Sequence, residues 1–204
     1  MDKMRGVGND TIWMNKNYHA ASFRAIIDAF QNDSHNSQSV QLQDFLEKPA
    51  FVQLARDAAA APRNCVAVSH MHIYDTLAPT KSMTAFEQFL SSPFFAGIVS
   101  SLAGKKIQYH SMQWFSFGHG QYTLLHDSLQ QESGLYLFFD CAQWNPEWGG
   151  FTSFIQDNEE VARILPRQNT ATFISIGEGT RYFSRYVTHH AKRHRRILAV
   201  AIFK

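Results

Sequence analysis

The stretch GQYTLLHDSL, residues 120–129, ends an apolar run on a histidine followed by an aspartate. Imidazole and carboxylate together are a familiar donor pair for a transition metal. Register decides whether neighbours can share one ion. Along a strand, side chains i and i+2 face the same side, and i and i+1 face opposite sides. His126 therefore shares its face with Ser128, and Asp127 turns away unless a β-bulge brings it round. His70 and His72 have the i,i+2 spacing of a metal pair, but no third ligand lies near them, and the polar face of an amphipathic strand accounts for both. His110 and His119 are isolated and read as surface or hydrogen-bonded residues. THHAKRHRR, residues 188–196, concentrates positive charge that could meet nucleic acid or an acidic partner; in so nearly neutral a chain it reads as a solvated hairpin turn. WNPEW, residues 144–148, sets two tryptophans against a turn, where they can face a substrate or cap the core.

The chain that must position these groups has 204 residues, 45% of them hydrophobic and 18% charged, with a net charge of +2. That fits one domain with a real core, and nothing in the charge balance suggests a nucleic-acid binder. No run approaches the ~18 apolar residues of a membrane span. The start, MDKMRGVGND, lacks the apolar centre of a secretory signal, so the expectation is a soluble cytoplasmic protein. Cys65 and Cys141 both fall in apolar runs and read as buried free thiols.

Helical periodicity comes first. Phe23, Ile26, Ile27 and Phe30 recur at helical spacing over 19–32, NDSHNSQS breaks the pattern as a loop, and FVQLARDAAAA is helical until Pro62. RNCVAVSHMHIYD, 63–75, alternates as one strand. A long helix is expected over 82–103, with Phe86, Phe89, Leu90, Phe94 and Ile98 on its apolar side and Gly104 as its stop. Seven strands then follow, over 106–117, 121–127, 134–140, 150–156, 170–176, 181–188 and 196–203. They are separated by the turn signals GHG, QQESG, NPEWGG, PRQN and GEG. Strands at this spacing imply a sandwich or barrel, and helices preceding strands imply an α+β class with helices bracing one sheet. The chain reads as a single domain, 1–204, with helical support and one or two strands over 1–104 and the strand core over 105–204.

From about residue 86 to residue 204 the order of elements and several motifs resemble the iron(II)/2-oxoglutarate-dependent oxygenases, in their prolyl-hydroxylase-like branch. FLSSPFFAGIVSSLAGKKI is similar to that branch's helix and first core strand, and FSFGHGQYTLLHDS to its aromatic, glycine and metal-binding H-x-D run. GLYLFFDCAQWNPEWGGFTSF and RRILAVAIFK resemble its central strand pair and closing strand. The resemblance implies a double-stranded β-helix (jelly roll) braced by N-terminal helices, with Fe(II) and 2-oxoglutarate as cofactors. Two histidines and a carboxylate leave three iron positions open for 2-oxoglutarate and dioxygen. A buried arginine reads the far carboxylate of 2-oxoglutarate, and a tyrosine hydroxyl adds a directional hydrogen bond.

Carried over by position, the resemblance implies His126 as the first metal ligand; Asp127 can serve as the catalytic and metal-binding carboxylate beside it if a β-bulge swings it inward. It implies Tyr136 and Arg196 as the 2-oxoglutarate contacts. The chain departs from the pattern at several places. Ser128 stands at the carboxylate position of H-x-D, and Phe117 replaces a frequent tyrosine. The distal histidine position, ten to twelve residues before Arg196, falls on Ser184, Arg185 or Tyr186. His189 or His190 could serve if the hairpin is shorter. A halogenase-like branch lacks the carboxylate alone, but it keeps both histidines. Two functions follow. One is a dioxygenase, an oxidoreductase acting on a protein side chain or small molecule through an atypical metal site. The other is a metal-free jelly-roll relative that binds a ligand or partner, or catalyses non-oxidative chemistry.

Overall fold

The computed structural model describes residues 13–18, 21–32, 38–125 and 133–204. Among the described residues its α-helices all lie before residue 104, with three strands set between them. α1 (Ala21–Gln31) buries Phe23 and Phe30, and α2 (Lys48–Ala60) buries Leu54 and Ala58. Where one helix was expected over 82–103, there are two: α3 (Lys81–Leu90) and α4 (Pro93–Ala103). Ser92 and Pro93 make the break. The proline ring cannot continue the first helix but suits the opening of the second, and the Ser92 hydroxyl accepts the Phe95 N–H at 3.2 Å. The break turns the apolar stripe as well. Phe95, Val99 and Leu102 are buried on α4, while Phe94, expected on the apolar side, is 38% exposed. Gly104 ends α4 at a φ of 64°, as a helix-stopping glycine should.

The strands are β1 (Ser39–Gln43), β2 (Arg63–Val68), β3 (His72–Leu77), β4 (Tyr109–Phe117), β5 (Tyr122–Thr123) and β6 (Gly134–Asp140). They continue as β7 (Thr152–Gln156), β8 (Glu159–Ile164), β9 (Thr170–Ile176), β10 (Arg181–Ser184) and β11 (Arg196–Phe203). The larger sheet runs β1-β9-β6-β11-β4-β3-β2, with β5 also paired to β3, and the smaller runs β10-β7-β8. All the pairings given by these strands are antiparallel. This is the expected α+β jelly roll, with differences in detail. The strand expected over 63–75 folds back as the β2–β3 hairpin, with His70 at a φ of 61° in its turn. Neither β1 nor the charged β8, EEVARI, was anticipated. Among the described residues no helix is long and apolar enough to cross a membrane.

Alternation along the large sheet builds two cores. Leu135, Leu137 and Phe139 of β6 and Ile197, Ala199, Ala201 and Phe203 of β11 face the helices. Tyr136 and Phe138, with Leu198 and Val200, face the smaller sheet and meet Phe154 there. Cys141 is buried and free, as expected. Cys65 is also free but exposed, because β2 is the edge of the sheet and presents most of its side chains to solvent.

A buried amide ties the N-terminal segment to the sheet. Asn169 accepts the Leu46 N–H at 3.0 Å and donates to the Leu46 carbonyl at 2.9 Å. Asn169→Ala strands both backbone groups in a buried site, at about 1–3 kcal/mol each before relaxation. A fall in denaturation midpoint without a change in the slope m is expected in urea titration.

Candidate functional site

Between the sheets lies a cavity of about 200 Å³. Leu198, Val200 and Ile202, successive inward residues of β11, form one wall with Phe115 and Phe117 of β4. Its polar lining is Tyr74, Tyr136, Tyr182, Thr123, Ser184 and Gln113. Strand alternation puts them there: Tyr182 and Ser184 share the inward face of β10, and Tyr136 takes that of β6 next to Phe138. The Tyr136 and Tyr182 rings meet edge to face at 6.0 Å, and Phe138 meets Tyr182 likewise at 5.3 Å.

Burial raises the phenol pKa of Tyr74 and of Tyr136. Burial also raises that of Tyr182, and the neighbouring Tyr136 and Tyr74 push it further. The cavity therefore presents neutral hydroxyls at physiological pH. A phenol raised on folding favours the native state fully below the ordinary tyrosine value of 10.0. Stability is lost as pH rises through the folded value, because the unfolded chain ionises first. In an alkaline titration followed by ultraviolet difference and circular dichroism, these tyrosines should ionise only as the protein unfolds.

Tyr136 is thus where the sequence places it, facing the cavity. Arg196 also lies on the inward face of β11 but does not line the cavity. Its guanidinium is 1% exposed and already committed. Nε donates to Asp140 Oδ1 at 2.6 Å and Nη2 to Oδ2 at 2.9 Å, while Nη1 donates to the Gly150 carbonyl at 2.7 Å and the Thr152 hydroxyl at 2.8 Å. This is a bidentate ion pair with two further hydrogen bonds, closed on all sides by protein. Arg195 faces the other way. It bonds Ser116 at 2.7 Å and Gln121 at 2.8 Å and pairs with Asp75, so it does not stand in. Asp140 is the residue that sequence reasoning missed. Its one signal was an acid at the inward position ending the apolar strand GLYLFFD.

The WNPEWGG segment serves this ion pair. Gly149 and Gly150 have φ of 71° and 67°. The Gly149 carbonyl accepts the Trp144 indole N–H at 2.9 Å, and the next carbonyl reaches Arg196. Trp144 is buried, so it caps the core. A Cβ at Gly149 would stand 2.3 Å from the Tyr186 carbonyl oxygen. Gly149→Ala should therefore force the segment apart, lowering the melting temperature by more than the strained φ alone, which costs about 1–3 kcal/mol.

The metal positions come out unevenly. His126, Asp127 and Ser128 lie outside the described residues. Of the three candidates for the distal ligand, only Ser184 faces the cavity, and its backbone N–H reaches the Thr123 hydroxyl at 2.6 Å. Arg185 is exposed, with its guanidinium 5.1 Å from the Phe183 ring centre, and Tyr186 is 50% exposed. His189 and His190 sit exposed in the 3-10 turn His189–Ala191, their rings 4.0 Å apart, and neither lines this cavity. His70 and His72 are split by the hairpin turn and share no strand face. Among the described residues no three His, Cys, Asp or Glu side chains converge.

With that geometry in hand, the chain can be set beside known proteins. No family model matches it. A 76-residue segment is 34% identical to prolyl 3-hydroxylase OGFOD1 of Mus musculus, covering 35% of this chain and 14% of that protein. The chain thus spans about a seventh of the length of that relative. A 2OG-Fe(II) oxygenase family oxidoreductase from Burkholderia pseudomallei superposes with a TM-score of 0.66 at 12% identity, over 89% of this chain and 90% of that one. A prolyl hydroxylase from Trichoplax adhaerens, in complex with a hypoxia inducible factor peptide fragment, gives 0.66 at 11% identity, over 93% and 94%. The chain therefore has the jelly-roll fold of these 2OG-Fe(II) oxygenases and prolyl hydroxylases, and one segment of it is similar to a prolyl 3-hydroxylase.

Fe(II) and 2-oxoglutarate, the cofactors that the resemblance implies, fit the described residues of this lining poorly. Tyr136 lines the cavity, but Arg196, which the resemblance assigns to the far carboxylate, is paired with Asp140, and among the described residues no cation lines the cavity. For iron, the inward-facing distal position carries a serine hydroxyl, a weak ligand beside imidazole.

Proposed function

We propose that this chain uses the oxygenase fold as a binding barrel, taking a small uncharged ligand in the tyrosine-lined cavity without 2-oxoglutarate. The observation that supports this is the commitment of Arg196, fully buried, to Asp140, Gly150 and Thr152 through four hydrogen bonds. A dicarboxylate entering the cavity would give up water for phenols, an amide and hydroxyls, with no cation among the described lining residues to offset the loss. Removing a carboxylate from water costs several kcal/mol unless a partner charge compensates. A neutral ligand meets no such penalty, and its polar atoms find hydroxyls able both to donate and to accept.

The local likeness to prolyl 3-hydroxylase OGFOD1 favours a second reading. In it, His126 and Asp127 hold iron, Tyr136 and Arg196 receive 2-oxoglutarate, and the substrate is a protein side chain or small molecule. A peptide is its natural substrate class, given the peptide bound to the Trichoplax relative. Isothermal titration of the native chain with 2-oxoglutarate, anaerobically with and without Fe(II), separates the two. The binding barrel gives no heat of binding at millimolar 2-oxoglutarate. Micromolar, iron-dependent binding sinks it and establishes the oxygenase.

A further inference from the structure

Asp140 and Arg196 close the larger sheet's inward face where Tyr136 and Phe138 of β6 run alongside Leu198 and Val200 of β11. Asp140 is 2% exposed and Arg196 1%. The carboxylate meets the guanidinium in the side-by-side geometry that arginine uses for a free carboxylate ligand. Gly150 and Thr152, from the neighbouring segment, take the remaining Nη1 donors. The arrangement has the parts of a carboxylate-binding site: a buried arginine, preorganised by neutral acceptors, at the end of a ligand cavity's wall. What occupies it is the chain's own side chain.

We infer that Arg196 is a carboxylate-binding site filled in cis by Asp140, a built-in monocarboxylate ligand in the seat that a dissociable carboxylate would otherwise take. The inference deepens the binding-barrel reading and rests on it, since it explains why Arg196 offers the cavity no free cation. It follows that the site is latent. Asp140→Ala removes the carboxylate and keeps Cβ as a methyl, opening a space against an arginine still held by Gly150 and Thr152. A small free monocarboxylate should then bind, and acetate supplies the missing carboxylate on a single methyl group.

The test is chemical rescue. Melting temperatures of the native chain, Asp140→Ala and Asp140→Asn are measured in acetate, in acetamide and in chloride of matched ionic strength. Asp140→Ala should melt well below the native chain. Acetate in about tenfold excess over its dissociation constant should raise its melting temperature by about 3–6 °C. Acetamide and chloride should not. Asp140→Asn should stay unresponsive because its amide still fills the space, and so should the native chain. If Asp140→Ala does not fold in chloride, the readout becomes its refolding yield in acetate. The comparison is then with Asp140→Ala combined with Arg196→Met, which buries no lone charge and should fold without acetate.

A folded Asp140→Ala that ignores acetate overturns the inference. So does refolding that acetate leaves unimproved while the double variant folds, or a native chain that responds as strongly. The binding-barrel reading fails on a different measurement, 2-oxoglutarate binding by the native chain. Rescue without that binding supports both, rescue with it retains only the latent site, and no rescue without it retains only the barrel.

Discussion

Arg196→Met should lower the melting temperature by about 6–20 °C while leaving 2-oxoglutarate binding as it is in the native chain. The substitution keeps an apolar stem of similar length but leaves the Asp140 carboxylate, 2% exposed, without its cation. Breaking a buried pair from one side costs about 3–5 kcal/mol. For a chain of this size each kcal/mol moves the midpoint by about 2–4 °C. The Gly150 carbonyl and Thr152 hydroxyl lose a donor as well. Arg196→Lys should fall between the two: the charge remains, but one ammonium cannot reproduce a planar fork that reaches Asp140, Gly150 and Thr152 together. The family resemblance alone places the cost of changing Arg196 in 2-oxoglutarate affinity; the ion pair places it in folding. Thermal unfolding followed by circular dichroism decides, and a midpoint within about 2 °C of the native chain would remove Arg196 from its structural role.

The sequence carries the fold further than it carries the site. The α+β order and the last strand follow from periodicity, because strands buried on one or both faces leave a strong hydrophobic signal; the inward facing of Tyr136 comes from the family resemblance, since β6 is buried on both faces. β8 was missed because EEVARI lies at the edge of the small sheet, where charged residues can face solvent and the pattern weakens. The β2–β3 turn hid in an alternation that runs unbroken through His70. At the site, parity puts Arg196 on the inward face, but pairing depends on partners 44 to 56 positions away in the chain. No local pattern announces them. An acid ending an apolar strand looks like an ordinary strand terminus until the facing strand shows what it meets.

Iron is expected to bind the combined variant Ser128→Asp and Ser184→His at least about 100-fold more tightly than either single variant. The carboxylate is placed by parity in sequence, since residue 128 shares a face with His126 in an extended chain. The histidine is placed by the structure. Of the three positions that spacing allowed, Ser184 faces the cavity, while Arg185 lies over the Phe151 and Phe183 rings on the other side of β10. Even residues that only orient a ligand change metal affinity by about 10–100-fold, so supplying two absent ligands should do more. Combining Ser128→Asp with Arg185→His should gain little over Ser128→Asp alone, because that histidine points outward. Anaerobic Fe(II) titration of the four variants and the native chain gives the order. Tight iron binding by the native chain, abolished by Asp127→Ala, would instead make His126 and Asp127 a working site and end the binding-barrel reading. On the binding-barrel reading the two halves of the chemistry that the resemblance implies are lost for different reasons: Ser128 and Ser184 stand where the pattern has metal ligands, and Arg196 is occupied by Asp140. Restoring iron should therefore not restore 2-oxoglutarate binding until Asp140→Ala is added and Arg196 is released.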